Sequence, residues 1–391
     1  MAFFSKIKIA LVIESLDFGG REKVLLNVAN GLNSEQYEVH IITFSNDKND
    51  QAAMLNKNIQ LHALPFNSKN LVTPSIIFFA PFIALRFNKV LKKIQPHVVH
   101  THFLYQLLFL SSISIKFSGI KAFHFHTIHT AGLYYNNKGF KNNFIIKAEA
   151  SSVNINHAYL VTVSKQLQQI CLQHFKNKAS EIRCIMNGVD DKKFDFHLHT
   201  QIKKSDFGFV DNDRIVSYVA RFDAAQKDHL TLLKAWQIVA QHISNAKLCL
   251  AGDGDAKAQA EQFVKENSLT QSVYFLGNIA NINELLAITD VGVFSSLYEG
   301  LSVALLEKMF MKLPVIATNI PAFSTIITDD VSGFLFTPGD YKNLAEKLMH
   351  LLPNKQLQCA VGNEAYNAVK DYTIQAMVKK HDEYYRKIVS A

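Results

Sequence analysis

Residues 294–314 read FSSLYEGLSVALLEKMFMKLP, from Phe294 to Pro314. Val291, Val293 and Phe294 make a short apolar strand that ends in Ser295 and Ser296. Leu301, Ala304, Leu305 and Met309 then fall on one helical stripe, which Pro314 closes. Glu299 lies in the strand-to-helix loop, and Glu307 lies about two turns into the helix on the same side. Between them the backbone N–H groups of Leu301, Ser302 and Val303 point outward at the helix start, where hydrogen bonding and the helix dipole favour an anion. Two carboxylates around an anion site suit a ligand with hydroxyls at both ends and phosphate in the middle, the layout of a nucleotide-sugar.

The same strand-then-helix grammar extends to both ends of the chain. Ile7 to Leu16 is a near-continuous apolar run, as in a parallel sheet buried on both faces. Strands are predicted at Glu38 to Phe44, His97 to His102, Lys121 to Thr130, Ala158 to Ser164 and Glu181 to Asp190, with helical patterns between them. A polar stretch without periodicity, Val189 to Asp213, reads as an interdomain linker. The pattern restarts with strands at Arg214 to Ala220 and Ala246 to Gly254. This predicts an α/β protein with two Rossmann-like, doubly wound domains facing across a cleft. The division read from the sequence is 1–200, 201–370 and a closing helix in 371–391 that returns to the first domain.

At 391 residues, 48% apolar and 19% charged, the chain can bury a large core. Its four cysteines have no CxxC spacing and read as reduced, buried thiols of a cytoplasmic protein. The opening residues read as a strand, not a signal peptide, and no apolar run is long enough to span a membrane. Charge is uneven: residues 1–200 carry 22 Lys+Arg against 12 Asp+Glu, and residues 51–148 carry 11 Lys+Arg and no acidic residue. That region, with IIFFAPFIALRFNKVLKK from Ile76 to Lys93, reads either as a solvated basic face or as a surface for anionic lipid or an anionic acceptor. No DNA or RNA motif is present, so nucleic acid is not an expected partner.

Smaller constellations sit at strand ends. Gly19 and Gly20 follow the first strand without GxGxxG spacing, and serve either a tight turn or close approach to a phosphate or sugar. Arg221 and Lys227 share the loop after the first strand of the second half, where two cations can clamp a diphosphate. Gly252 opens the turn Gly252-Asp253-Gly254-Asp255, which suits a nucleotide-contacting loop better than a magnesium site. His97, His100, His102, His124, His126 and His129 follow two strands; they read as hydrogen-bonded core residues or as metal ligands, and His129 stands apart at a strand end. GxSxG, HExxH and Walker A sequences are absent.

Together these pieces resemble the GT-B retaining glycosyltransferases of family 4, the group 1 glycosyl transferases. The fragments are FGGREKVLLNVANGL from Phe18, HTIHT from His126, VTVSKQL from Val161, NGVD from Asn187, VARFDAAQKDHLTLLKAW from Val219, LAGDGD from Leu250, FLGN from Phe275, SSLYEGLSVALLEKM from Ser295 and LPVIAT from Leu313. Glu299 and Glu307 match the family's E-x7-E pair. The resemblance implies that Glu299 contacts the donor sugar near the reacting centre and that His129 lies near that sugar. It implies that Glu307 holds the ribose hydroxyls, that Arg221 and Lys227 hold the diphosphate, and that Gly20 and the helix start approach the donor by backbone. It implies no metal or other cofactor, a nucleotide-sugar donor, and a saccharide or lipid-linked acceptor in envelope polysaccharide or lipopolysaccharide assembly. A cytoplasmic protein, peripheral on the inner face of the membrane, would fit such an acceptor. Two departures stand out: PAFSTIITDD, with Ser324 and Thr325, replaces a segment that often holds a glutamate, and Lys308 replaces an alanine, a change expected to alter packing. Alternatives are a non-hydrolysing nucleotide-sugar epimerase and a non-catalytic binding protein on this fold.

Overall fold

The computed structural model describes residues 6–17, 19–47, 49–71, 75–102, 105–130, 140–175 and 178–390. Phe18, which begins the first quoted fragment, lies outside them. The chain forms two compact units, Met1–Gly188 with Ile374–Ala391, and Val189–Thr373.

The first unit holds strands β1 (Ile7–Ile13), β2 (Tyr37–Ser45), β3 (Gln60–Phe66), β4 (Val98–Thr101), β5 (Phe123–Ile128), β6 (Tyr159–Thr162) and β7 (Glu181–Cys184). They pair in parallel in the order β3-β2-β1-β4-β5-β6-β7. Ile9 to Ile13 are all fully buried, as a central parallel strand covered on both faces requires. The order turns back at β1, between β2 and β4, the kind of switch point where open α/β sheets take ligands. Its helices are α1 (Gly20–Gly31), α2 (Ser75–Ile94), α3 (Tyr105–Phe117), α4 (Phe140–Ile155) and α5 (Lys165–Phe175). On one face, Ile83, Phe87 and Leu91 of α2 pack with Val12, Phe44 and Val99.

The second unit carries β8 (Arg214–Val219), α6 (His229–His242), β9 (Ala246–Ala251), α7 (Lys257–Glu266), β10 (Val273–Gly277), α8 (Ile282–Ile288), β11 (Val291–Phe294), α9 (Val303–Phe310), β12 (Val315–Thr318), α10 (Pro321–Ser324), β13 (Phe334–Phe336), α11 (Tyr341–Leu351) and α12 (Lys355–Val369). Its parallel sheet runs β10-β9-β8-β11-β12-β13, with the switch between β8 and β11. Both sequence constellations of this half, the Arg221–Lys227 loop and the Glu299 loop, leave those two neighbouring strands at their C-terminal ends.

The closing helix α13 (Ile374–Val389) belongs to the first unit and covers the opposite face of its sheet from α2. Tyr37 donates to Asp382 at 2.6 Å, and Phe125 meets Tyr384 and Tyr385 edge-on at 5.1 and 5.2 Å. Gly31 lets α1 approach it: a Cβ there would stand 2.5 Å from Val378.

Three sequence readings change. The unit boundary falls at Gly188/Val189, and the stretch read as a linker packs on the second unit. Phe194 and Phe209 in it are buried, and Phe209 meets Tyr274 edge-on at 4.9 Å. Isolated aromatic anchors between charges leave no periodicity to read. Of the four thiols, Cys171 and Cys249 are buried, Cys184 is half-buried and Cys359 is exposed on α12. No helix among the described residues is long and apolar enough to cross a membrane.

Candidate active site

The loop after β8 is pinned from below. Phe222 is buried and stacks on His229 at 4.0 Å. Burial holds His229 down at about 4, so its ring stays neutral near pH 7. The Tyr218 hydroxyl and Ser295 Oγ both donate to the Lys227 carbonyl, at 2.8 and 3.0 Å. The Lys227 N–H donates to the Asp223 carbonyl at 2.7 Å, and Asp228 caps α6 by accepting from the Thr231 N–H. This fixes the Lys227 backbone. Arg221 is more open, with its guanidinium 3.1 Å from Asp223.

The loop after β11 meets it. Glu299 is only 8% exposed, yet it forms an ion pair with Lys227. Ser296 Oγ donates to Glu299 Oε1 at 2.8 Å, and Gln226 donates to Glu299 Oε2 at 3.3 Å and to the Tyr298 carbonyl at 3.2 Å. The Leu297 N–H donates to the Gln226 carbonyl at 2.7 Å, tying loop to loop. Thus two residues that the sequence assigns to different parts of a ligand, Lys227 to diphosphate and Glu299 to sugar, touch each other. A carboxylate this buried and held by three donors is preorganised, and Oε2, with Gln226 alone, keeps acceptor capacity. Tyr218, Gln226 and Ser296 are the site residues that sequence reading missed. Gln226 and Ser296 have one signal, position beside Lys227 or three residues before Glu299, and Tyr218 has none.

The helix after Glu299 begins later than the pattern implies. α9 starts at Val303, and Ser302 is its cap, accepting from the Leu305 N–H at 3.3 Å. Leu301 and Ser302 therefore precede the helix. The first-turn donors that face outward by helix geometry are those of Val303 and Ala304. Glu307 is buried on α9, 4% exposed. Lys308 is wholly buried, and its ammonium donates to the Ser217 carbonyl at 3.0 Å and to Ser217 Oγ at 2.5 Å. Gly292 makes the room, since a Cβ there would lie 2.5 Å from the Lys308 chain. Burial pulls the Lys308 ammonium down to about 7, against opposing pulls from Cys249 and Glu307. So this departure from the family pattern does more than alter packing: it places a titratable amine against β8 at Ser217.

Gly252 has φ +138, and a Cβ would sit 2.1 Å from the Ala220 carbonyl oxygen. Its N–H already donates to the Gly277 carbonyl at 2.7 Å. The missing side chain thus lets two loop backbones approach closely, and the N–H is already used within the fold. Gly252→Ala is expected to destabilise the chain by about 2–4 kcal/mol through steric overlap and strain. Gly20 differs, since a Cβ there meets nothing within 4 Å. Gly20→Ala is expected to leave the melting profile within about 0.5 kcal/mol, the range of an unobstructed surface change. Thermal melts of the two variants side by side check both; equal losses would contradict this division. Asp253 and Asp255 are exposed, and Asp253 Oδ1 accepts from the Gly254 N–H at 2.9 Å. Among the described residues no group of three His, Cys, Asp or Glu is placed to hold a metal.

In the first unit, alternation puts His124 and His126 on one face, where both meet Thr101 Oγ1, at 3.1 and 2.9 Å. His100, under α13, lies 2.6 Å from the Tyr385 hydroxyl and 2.7 Å from Thr127 Oγ1. Of the two open readings, hydrogen-bonded core histidines are what the described residues contain. His129 is half-buried at the end of β5, and its Nε2 lies 3.0 Å from Nδ1 of the fully buried His102. Burial pushes both imidazoles well below the ordinary histidine range. His102 therefore fixes the ring of His129, a positioning role that sequence reading missed. Gly20 starts α1, at the C-terminal end of β1.

The family described as "Glycosyl transferases group 1" matches residues 199–368, and "Glycosyltransferase Family 4" matches residues 18–193. The N-acetyl-alpha-D-glucosaminyl L-malate synthase of Bacillus anthracis is 27% identical over 52% of this chain, which spans only about half (53%) of that relative. The UDP-Gal:alpha-D-GlcNAc-diphosphoundecaprenol alpha-1,3-galactosyltransferase of Escherichia coli is 25% identical over 97% of each chain. The Anabaena protein HepE, solved in complex with UDP and glucose, superposes with a TM-score of 0.81 at 18% identity, covering 97% of this chain and 99% of its own. With two parallel sheets of this order and two family matches in succession, the chain belongs to the group 1, family 4 glycosyltransferases and has their GT-B fold.

Proposed function

We propose that the protein transfers a sugar, with retention of anomeric configuration, from a nucleotide-sugar donor to a saccharide or lipid-linked acceptor in envelope polysaccharide or lipopolysaccharide synthesis. The observation that carries the reading is the buried Glu299, held by Lys227, Ser296 and Gln226 just ahead of the start of α9. The E. coli relative, matched end to end, acts by its name on a diphosphoundecaprenol-linked sugar, which supports a lipid-linked acceptor at a membrane surface.

In this reading the Glu299 carboxylate accepts from donor-sugar hydroxyls, and Glu307 accepts from the ribose. As the anomeric carbon–oxygen bond breaks, charge grows on the departing diphosphate. Lys227, Arg221 and the Val303 and Ala304 N–H groups meet that charge, with the Gly252 turn, packed against the Arg221 loop, beside the nucleotide. The acceptor hydroxyl oxygen bonds to the anomeric carbon and its proton passes to a departing phosphate oxygen. Cations and a helix terminus do the work that a divalent metal would do elsewhere, so the reading needs no cofactor. His129 takes the sugar side, with its ring set by His102.

A thermal-shift screen across UDP-, GDP- and ADP-sugars, repeated with a chelator, tests the donor assignment. One nucleotide family is expected to raise the melting temperature, and Arg221→Ala is expected to weaken that nucleotide's binding by about tenfold, the value of one charge-assisted contact. No shift with any nucleotide would overturn the reading.

A further inference from the structure

Helix α2 carries two faces of opposite meaning. Its inner face, with Ile76, Ile83, Phe87, Leu91 and Ile94, belongs to the core of the first unit. The outer face would be polar in an ordinary surface helix. Instead Phe78, Phe82 and Leu85 stand out, 77%, 62% and 68% exposed. Their 3–4 residue spacing places them in one row. The same row continues as Arg86, Lys89, Lys92 and Lys93, all exposed. Helix α3, which packs beside α2, adds Phe117, 78% exposed, next to the exposed Lys116.

We infer that this outer face of α2, with the end of α3, is a docking surface for an anionic lipid bilayer. The apolar half of the row reaches the acyl boundary, while the basic half stays among the phosphates. A protein partner would need acidic groups at one end and an apolar pocket at the other; a bilayer interface offers both in one layered medium. Charge complementarity is unopposed along the sequence here, since no acidic residue occurs from Gln51 to Ala148. The surface gives a location for the lipid-linked acceptor proposed above, and to that extent rests on that reading. Its physical argument does not, so the test uses no nucleotide-sugar.

The full chain is sedimented with phosphatidylcholine vesicles and with vesicles that also contain phosphatidylglycerol, at low and high salt. Binding is expected to the anionic vesicles only, and to weaken with salt. Lys89→Gln with Lys92→Gln and Lys93→Gln is expected to lower the partition coefficient about a hundredfold, at roughly fivefold for each lysine near the surface. Phe78→Ser with Phe82→Ser and Leu85→Ser is expected to lower it in both salts. All six positions are exposed, so both variants keep the melting profile of the parent. Absent binding, equal binding to neutral vesicles, or binding untouched by either variant would overturn the inference. Self-association that the same substitutions abolish, without vesicle binding, would reassign the face to a second copy. Turnover of a nucleotide-sugar on a water-soluble acceptor, measured separately, tells loss of docking from failure of the transferase reading.

Discussion

Glu299→Ala is expected to lower kcat/KM for sugar transfer by about 10²–10³-fold, the scale of losing one preorganised polar contact to a reacting group. Two effects combine. The donor sugar loses its acceptor of hydrogen bonds, and the Lys227 ammonium loses the carboxylate it pairs with in a largely buried setting. The second effect costs about 1–3 kcal/mol of stability, less than a fully buried pair because Lys227 retains some solvent. A double-mutant cycle separates them. If the pair is coupled, Lys227→Ala costs less stability in the Glu299→Ala background than in the parent. Glu299→Gln keeps the shape and the Gln226 side of the network, so it should melt closer to the parent while remaining impaired in transfer. Unchanged kcat/KM in both variants would show that Glu299 serves only the fold.

Lys308→Met is expected to stabilise the second unit by about 2–4 kcal/mol at pH 6, where the buried ammonium is most costly. Burial lowers its pKa to about 7 from 10.5, so the unfolded chain binds a proton that the folded chain refuses between those values. More protons on the unfolded state mean that stability rises with pH through that window. The gain from methionine should therefore be full below pH 7. Above it the gain should shrink by about 1.4 kcal/mol per pH unit, vanishing after about 1.5–3 units, at roughly pH 8.5–10. Melts of both chains across this range check it. A methionine variant less stable at every pH would show that the bonds to Ser217 outweigh the burial of the charge.

The two folds of the chain are readable because parallel strands buried on both faces must be apolar throughout, as in Ile9–Ile13 and Val291–Phe294. Glu299 and Glu307 are readable because charge within an apolar strand–helix pattern has no packing reason. The partners of Glu299 are not. Gln226 and Ser296 are common residue types marked only by their places beside Lys227 and before Glu299, and Tyr218, which holds the Lys227 carbonyl, is brought to them by the pairing of β8 with β11, a long-range event with no local trace. The helix start is missed by two residues, since Ser302 caps by its side chain while Leu301 still fits the apolar stripe. His102 escapes because it looks like its neighbours until the sheet sets it against His129. Lys308 reads as a harmless exchange until Gly292 and Ser217 are seen around it. The row on α2 is half visible: the basic run is plain in sequence, but only packing tells which phenylalanines face outward.

The most direct test is release of nucleoside diphosphate from a UDP-, GDP- or ADP-sugar, with a polyprenyl-diphosphate saccharide as acceptor and a chelator present. The parent protein should release diphosphate in step with glycosylated product, and Glu299→Ala should do so at least about a hundredfold more slowly. No release with any donor, or equal release by the variant, would contradict the assignment of this site.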